Sequence, residues 1–245
     1  MIKLNETTSL ITNSEKLANF TWTIVGVVIM TLLVILITTL FTYLYLKNKK
    51  YRSKGFIFEQ EVDSKIKTWV NKKNVEYIPG GTYSYNDNMF EIDGLIITSK
   101  AIIVVEDKYY TGNITGDANN TFLHLQNDRG KKKKINNPII QNDNHIRHLF
   151  KAARAKFICG SLIVFEKNAK FNIKNVDDHV VLTTIDDISN TLDEMLKSLD
   201  SLPKTIDIEN YSSMFISLKA NTIKEQKKWK KITKTNSKTQ RQKGK

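Results

Sequence analysis

Two carboxylates and a lysine, Asp93, Glu106 and Lys108, stand out by their types and spacing. Glu106 and Lys108 lie two residues apart in an apolar run, so in an extended strand they share a face while Asp107 points to the other. Asp93 falls on the preceding apolar stretch and reaches the same edge when the two stretches pair. Neighbouring carboxylates supply oxygen ligands to Mg²⁺, an ion that binds protein through one or two carboxylates and keeps several waters. A lysine beside such an ion can orient or help deprotonate an attacking water, or offset charge on a pentavalent phosphate. Acidic and basic residues at strand ends are also ordinary solvated charges, so spacing alone leaves both readings open.

These residues need strands to hold them. Residues 90–98 read as one strand and 101–110 as a second, whose Ala-Ile-Ile-Val-Val run is that of a central strand. The short link through Ser99 and Lys100 makes them an antiparallel pair. Ahead of them, Phe58, Val62, Ile66, Trp69 and Val70 recur at helical spacing. Glu59 borders that apolar face, and Glu61 points away from it. Pro79-Gly80-Gly81 marks a turn. Beyond the second strand, Gly112, Gly116 and the polar stretch to Lys134 read as turns with a short strand pair around 122–125. Asn136-Asn137-Pro138 starts a helix, with Asn capping and Pro at the first helical position. Ile139, Ile140, Ile146, Leu149 and Phe150 give it an apolar side, and Gln141 and His145, four apart, share a face. Residues 161–165 and Val180–Thr184 read as further strands, and 186–199 as a helix. Helices and short strands alternating around one sheet make an α/β domain.

The rest of the chain frames this domain. Residues 19–46 contain no charged side chain and are rich in Val, Ile, Leu, Phe and Thr. That run exceeds the roughly 20 residues that cross a bilayer core, and it reads as a transmembrane helix. Trp22 at one end and Tyr43, Tyr45 and Tyr51 at the other suit an interfacial belt. A signal peptide has a basic leader, a shorter apolar region and a small-residue cleavage pattern, none of which is present, so an uncleaved anchor is expected. Lys47, Lys49, Lys50, Arg52 and Lys54 follow the span, whereas Lys3 and Lys16 before it are balanced by Glu6 and Glu15. The positive-inside rule then places the N-terminus outside and the rest in the cytoplasm.

The expected order is an external stub (1–18), the anchor (19–46), a basic juxtamembrane linker (47–54), a folded domain (55–218) and a basic tail (219–245). The formal net charge of +13 resides in the linker and the tail, where Glu225 alone opposes a run of lysines and Arg241. Such regions grip nucleic-acid phosphates or anionic lipid, or remain solvated, and composition does not choose among these. Cys159 is the only cysteine, which excludes an intrachain disulfide and a cysteine-built metal cluster. Its apolar neighbours, Phe157 and Ile158, make it a buried, inert thiol.

Several of these motifs, taken in order, resemble the nuclease-related domain (NERD) family of the PD-(D/E)XK nuclease superfamily. Gly55 with Glu59-Gln60-Glu61-Val62 is similar to the family's first helix. Glu91-Ile92-Asp93-Gly94, Val104-Val105-Glu106-Asp107-Lys108 and Tyr110-Thr111-Gly112 through Gly116 are similar to its core. Asn137-Pro138-Ile139-Ile140-Gln141 with His145 and Leu149 is similar to its later helix. The resemblance covers roughly residues 54–165. It implies a restriction-endonuclease-like mixed sheet flanked by helices, with Asp93 and Glu106 as metal ligands and Lys108 as the catalytic lysine. It also implies that Gln141 and Glu59 reach the site, with Mg²⁺, or else Mn²⁺, as cofactor. Two departures stand out: Phe58 replaces the glycine usual before the helix glutamate, and the tryptophan usual after the glycine turns is absent. His145 is expected to pack beside the site.

The expectation is therefore a membrane-anchored, metal-dependent nuclease cleaving phosphodiester bonds of DNA or RNA. The alternative is a non-catalytic module that tethers nucleic acid or a partner to the membrane, with lipid or nucleic acid on the tail. A nuclease facing outward is disfavoured by the charges flanking the span.

Overall fold

The structure, a computed structural model, describes residues 2–219 apart from 52, 72, 87 and 128. The basic tail from residue 220 onward lies outside the described residues. The chain divides into two compact units, Met1–Ser53 and Lys54–Lys245.

The first unit is one helix, α1 (Ile2–Tyr51), which takes in both the expected stub and most of the expected linker. Neither region holds a proline, and the only glycine of the helix is Gly26, so nothing in the sequence ends it sooner. Its stretch Phe20–Leu46 is long and apolar enough to cross a membrane by length and composition. At 27 residues it measures about 40 Å, more than a hydrocarbon core requires.

The second unit is a mixed α/β domain. Its main sheet has the order β1-β2-β3-β7-β9, formed by β1 (Glu76–Tyr85), β2 (Asn88–Ile97), β3 (Ile102–Lys108), β7 (Cys159–Phe165) and β9 (Val180–Thr184). The first three strands pair antiparallel, as expected for β2 and β3, and β3, β7 and β9 run parallel. A second sheet, order β6-β5-β4-β8, comprises β4 (Gly112–Asp117), β5 (Phe122–Gln126), β6 (Lys132–Asn136) and β8 (Ala169–Lys174). The helices of this unit, among the described residues, are α2 (Lys54–Val70), α3 (Pro138–Ala153), α4 (Ile188–Ser198) and α5 (Ile208–Leu218).

Burial follows the strand alternation. Ile103 and Val105 of β3 face α2 and α4, packing on Phe58, Val62, Ile66, Leu192 and Met195. Ile102 and Val104 face α3 and α5, packing on Ile146, Leu149 and Phe215. Both faces of β3 are covered, which is why its sequence is a continuous apolar run. The second sheet turns Ile114, Leu123 and Ile135 onto Ile163 and Phe165 of β7 and leaves its other face open.

Pro79-Gly80-Gly81 is not a turn but lies within β1. Proline is tolerated there because β1 is an edge strand. Gly80 is required by a close approach: a Cβ at this position would lie 2.5 Å from the Asp93 carbonyl oxygen. At this level both strands shift phase by one residue, so that Ile78 and Tyr83, like Ile92 and Leu95, share one core. Lys219, the last described residue, forms a bridge with Tyr83, and its ammonium bonds the Pro79 carbonyl.

Candidate active site

β3 carries its apolar run to Val105 and then places Glu106 on the α3 side, where the side chain is fully buried. A buried carboxylate is costly unless it is paired. One Glu106 oxygen, Oε1, receives the Lys108 ammonium, which projects from the same face two residues on. The other, Oε2, lies 3.2 Å from His145 Nε2. That approach lacks hydrogen-bond geometry, and Oε2 is buried without a hydrogen-bond partner. This oxygen therefore retains an unused lone pair beside the His145 ring.

Asp93 stands where β2 and β3 part. Their pairing runs from Ile97↔Ile102 to Gly94↔Val105 and stops. Beyond it, Asp93 Oδ2 accepts the Asp107 N–H at 2.9 Å. Burial first, and then the Glu106 charge, push the Asp93 carboxyl up to about 6, although the Asp107 hydrogen bond and Lys108 act to lower it. Asp107 points to the α2 side, as strand alternation requires. Burial, then Asp93, Glu106 and Glu59, hold its carboxyl well above the usual range, and its Oδ1 has no hydrogen-bond partner. Burial works against the Lys108 ammonium, but Glu106 and Asp93 together keep its pKa above the ordinary lysine value.

Of the other expected residues, Glu59 is exposed on α2, and its charge reaches both Asp93 and Asp107. Gln141 sits in the first turn of α3, half-buried, and its side chain makes no hydrogen bond among the described residues. His145, one turn further on, is the α3 residue placed against Glu106.

The start of α3 is fixed as expected. Asn137 caps it by accepting the Ile139 N–H at 3.0 Å and anchors it by donating to Ala118 O and Asn120 O, both at 2.8 Å. Asn142 was not anticipated. Fully buried, it donates to Val104 O at 2.8 Å and Ser161 Oγ at 2.9 Å, pinning α3 to β3 two residues before Glu106. Its signal was present in the sequence, as a polar residue in the stripe Ile139, Asn142, Ile146, Leu149. Tyr110 packs on Phe165 beside the site, and burial chiefly raises its phenol pKa.

The site thus gathers several carboxylates around one lysine. Among the described residues no cluster of three or more His, Cys, Asp and Glu side chains is arranged as a metal cage. Asp93 and Glu106 nonetheless fit a hard divalent ion that takes two carboxylates and completes its sphere with water. Their mutual repulsion and the unsatisfied Oε2 are both relieved by added positive charge.

A mixed sheet bearing Asp93 on one strand and Glu106 and Lys108 on the next defines a domain of the PD-(D/E)XK type. The family model of the nuclease-related domain matches residues 54–183, over half of the chain. This chain belongs to the nuclease-related domain (NERD) family. No curated protein and no solved structure matches it.

Proposed function

We propose that this chain is a membrane-anchored, metal-dependent nuclease that hydrolyses phosphodiester bonds of DNA or RNA. The observation that carries this reading is the Glu106 carboxylate, fully buried, paired through one oxygen with Lys108 and unsatisfied at the other, with Asp93 beside it. Asp93 and Glu106 would hold Mg²⁺ or Mn²⁺, which when bound would supply Lewis-acid charge to the phosphate and lower the pKa of a nearby water. Lys108 keeps its proton, so its part is to offset charge on the phosphate rather than to act as base. Above about pH 6 Asp93 is ionised and ready to ligate. Glu59 adds negative charge from α2, and Gln141 offers its amide to a phosphate oxygen or the attacking water. Residues 20–46 would span the membrane once. The basic residues that follow the span favour a cytoplasmic domain with the N-terminus outside. The basic tail would hold nucleic acid or anionic lipid electrostatically.

A second reading is a non-catalytic tether for nucleic acid. It is favoured by the resting surroundings of Glu106, whose two oxygens face Lys108 and His145. The test uses the purified full chain in mild detergent with labelled single- and double-stranded DNA and RNA. Mg²⁺, Mn²⁺ or EDTA is added, beside Glu106→Ala and Lys108→Ala variants. Cleavage that needs metal and disappears in both variants supports the enzyme. Binding without cleavage under every metal supports the tether.

A further inference from the structure

The second sheet has one face buried and the other largely open to solvent. Strand register assembles the open face from residues far apart in sequence. On β5 it presents Phe122 and His124, and on β6 Lys132 and Lys134, since Gln126 pairs with Lys132 and His124 with Lys134. On the far side, β8 contributes Lys170 and Lys174 through its pairing with Asn113 and Asp117 of β4. All six of these aromatic, histidine and lysine side chains are exposed. Phe122 keeps 40% of its surface in solvent, at a position where alternation alone calls for a polar residue. The Lys134 ammonium lies 4.0 Å above its ring centroid.

The face carries one carboxylate against its four lysines: Asp117, opposite Lys174, accepts from Asn175 Nδ2 at 2.6 Å and from the Asn119 N–H at 2.9 Å. Between the two lysine-bearing strands lie Asn113 and Thr115 of β4, and Asn172 sits between Lys170 and Lys174 on β8; all three are uncharged groups that both donate and accept. The platform also adjoins the candidate site, because β4 begins four residues beyond Lys108.

The geometry points to this open sheet face as a docking platform for single-stranded nucleic acid that leads to the Glu106–Lys108 site. Lysines along both margins match a phosphate backbone, and Phe122 and His124 offer rings on which unpaired bases stack. A duplex keeps its base faces hidden and has no use for exposed rings on a flat surface. An anionic membrane would satisfy the lysines but offers no planar base to stack on the Phe122 and His124 rings. The inference deepens the nuclease reading by naming the form of the substrate, yet it concerns binding and stands or falls separately from cleavage.

The experiment measures fluorescence anisotropy of labelled oligo-dT and oligo-U of about 16 nucleotides, and of a duplex of equal length. The protein is the full chain in mild detergent with EDTA, so that cleavage does not intervene. The Phe122→Ala/His124→Ala variant is expected to weaken single-strand binding roughly tenfold and to leave duplex binding within about twofold. Lys170→Glu/Lys174→Glu is expected to weaken it further and to reduce the salt slope by about 0.7 for each phosphate that is no longer neutralised. Exposed lysines outside this sheet, changed in Lys156→Glu/Lys204→Glu, serve as control. Single-strand affinity unchanged in both platform variants overturns the proposal, as does an equal loss for duplex. It is also overturned if the platform variants bind oligonucleotide normally but lose retention on phosphatidylserine-coated beads, which would assign the face to lipid. Weakened binding in these variants, from a wild type that never cleaves, upholds the platform and removes the nuclease reading.

Discussion

The Asp93 carboxylate stands in for a strand: its Oδ2 accepts the Asp107 N–H at 2.9 Å where β2 and β3 cease to pair. The splay that opens the sheet edge is thereby sealed by the same side chain that would ligate metal. One side chain thus serves both the local backbone and the site.

The first prediction concerns pH. Asp93 is raised from 3.8 to about 6, so the folded chain holds this proton more tightly than the unfolded chain does. Stability from this group is therefore full below about pH 4, falls as pH rises, and is lost above about 6. Asp93→Asn keeps an acceptor for the Asp107 N–H without the charge. Melting curves at pH 7 should show a gain on the order of 2 kcal/mol, and at pH 4 almost none. Equal gains at both pH values would remove this assignment.

Metal binding should show the opposite dependence. A divalent ion on Asp93 and Glu106 favours the ionised carboxyl, so Mg²⁺ affinity should rise through about pH 6 with release of protons. Titration calorimetry in two buffers of different ionisation heat measures the proton count directly. Uptake without proton release near pH 6 places the ion elsewhere.

The Glu106–Lys108 pair separates stability from activity. Lys108→Ala leaves a buried carboxylate without its cation and should cost about 3–5 kcal/mol. Replacing both, as Glu106→Gln/Lys108→Met, should restore most of that stability in denaturant titrations while leaving no cleavage. Recovery of cleavage by the double variant would show that the pair is not the chemical centre.

Asn142→Ala removes two buried hydrogen bonds and strands their acceptors. A loss of about 2–4 kcal/mol is expected from the urea midpoint. Asn142→Ser, which retains a donor, should lose less. An Ala variant as stable as the parent would mean that α3 is positioned by its apolar stripe and cap alone.

Gly80→Ala drives a methyl group into the Asp93 backbone carbonyl and should destabilise the domain by about 1–3 kcal/mol. It should also weaken Mg²⁺ uptake, because relief of the clash displaces Asp93. Unaltered uptake in a destabilised variant would uncouple β1 from the site.

The sequence disclosed the parts whose local chemistry and tertiary role agree. β3 was legible because both of its faces are buried, and α3 because Asn137 and Pro138 are a strong start signal. Glu106 and Lys108 were legible as a same-face pair, and the apolar stripe of α2 identified its buried side. β1 was missed because Pro79-Gly80-Gly81 has turn composition, and its strand state depends on edge position and on close approach to Asp93. β8 and α5 escaped because they pack on Phe165 and Phe157, neighbours brought up only by the fold. The second sheet showed only as one strand pair, since its register lies in pairing rather than in pattern.

The closing helix α5 has a consequence for where this protein can be divided. The family match ends at residue 183, yet Phe215 of α5 is fully buried in the core behind β1 and β2. Lys219, just past that helix, bridges the outer strand at Tyr83 and occupies the Pro79 carbonyl. An uncovered strand margin invites sideways joining with other chains. A fragment trimmed to the family limits would keep every candidate catalytic residue and still be a sticky, half-closed body. The unit of descent and the unit of folding have different ends, and the last residues before the basic tail act as the clasp.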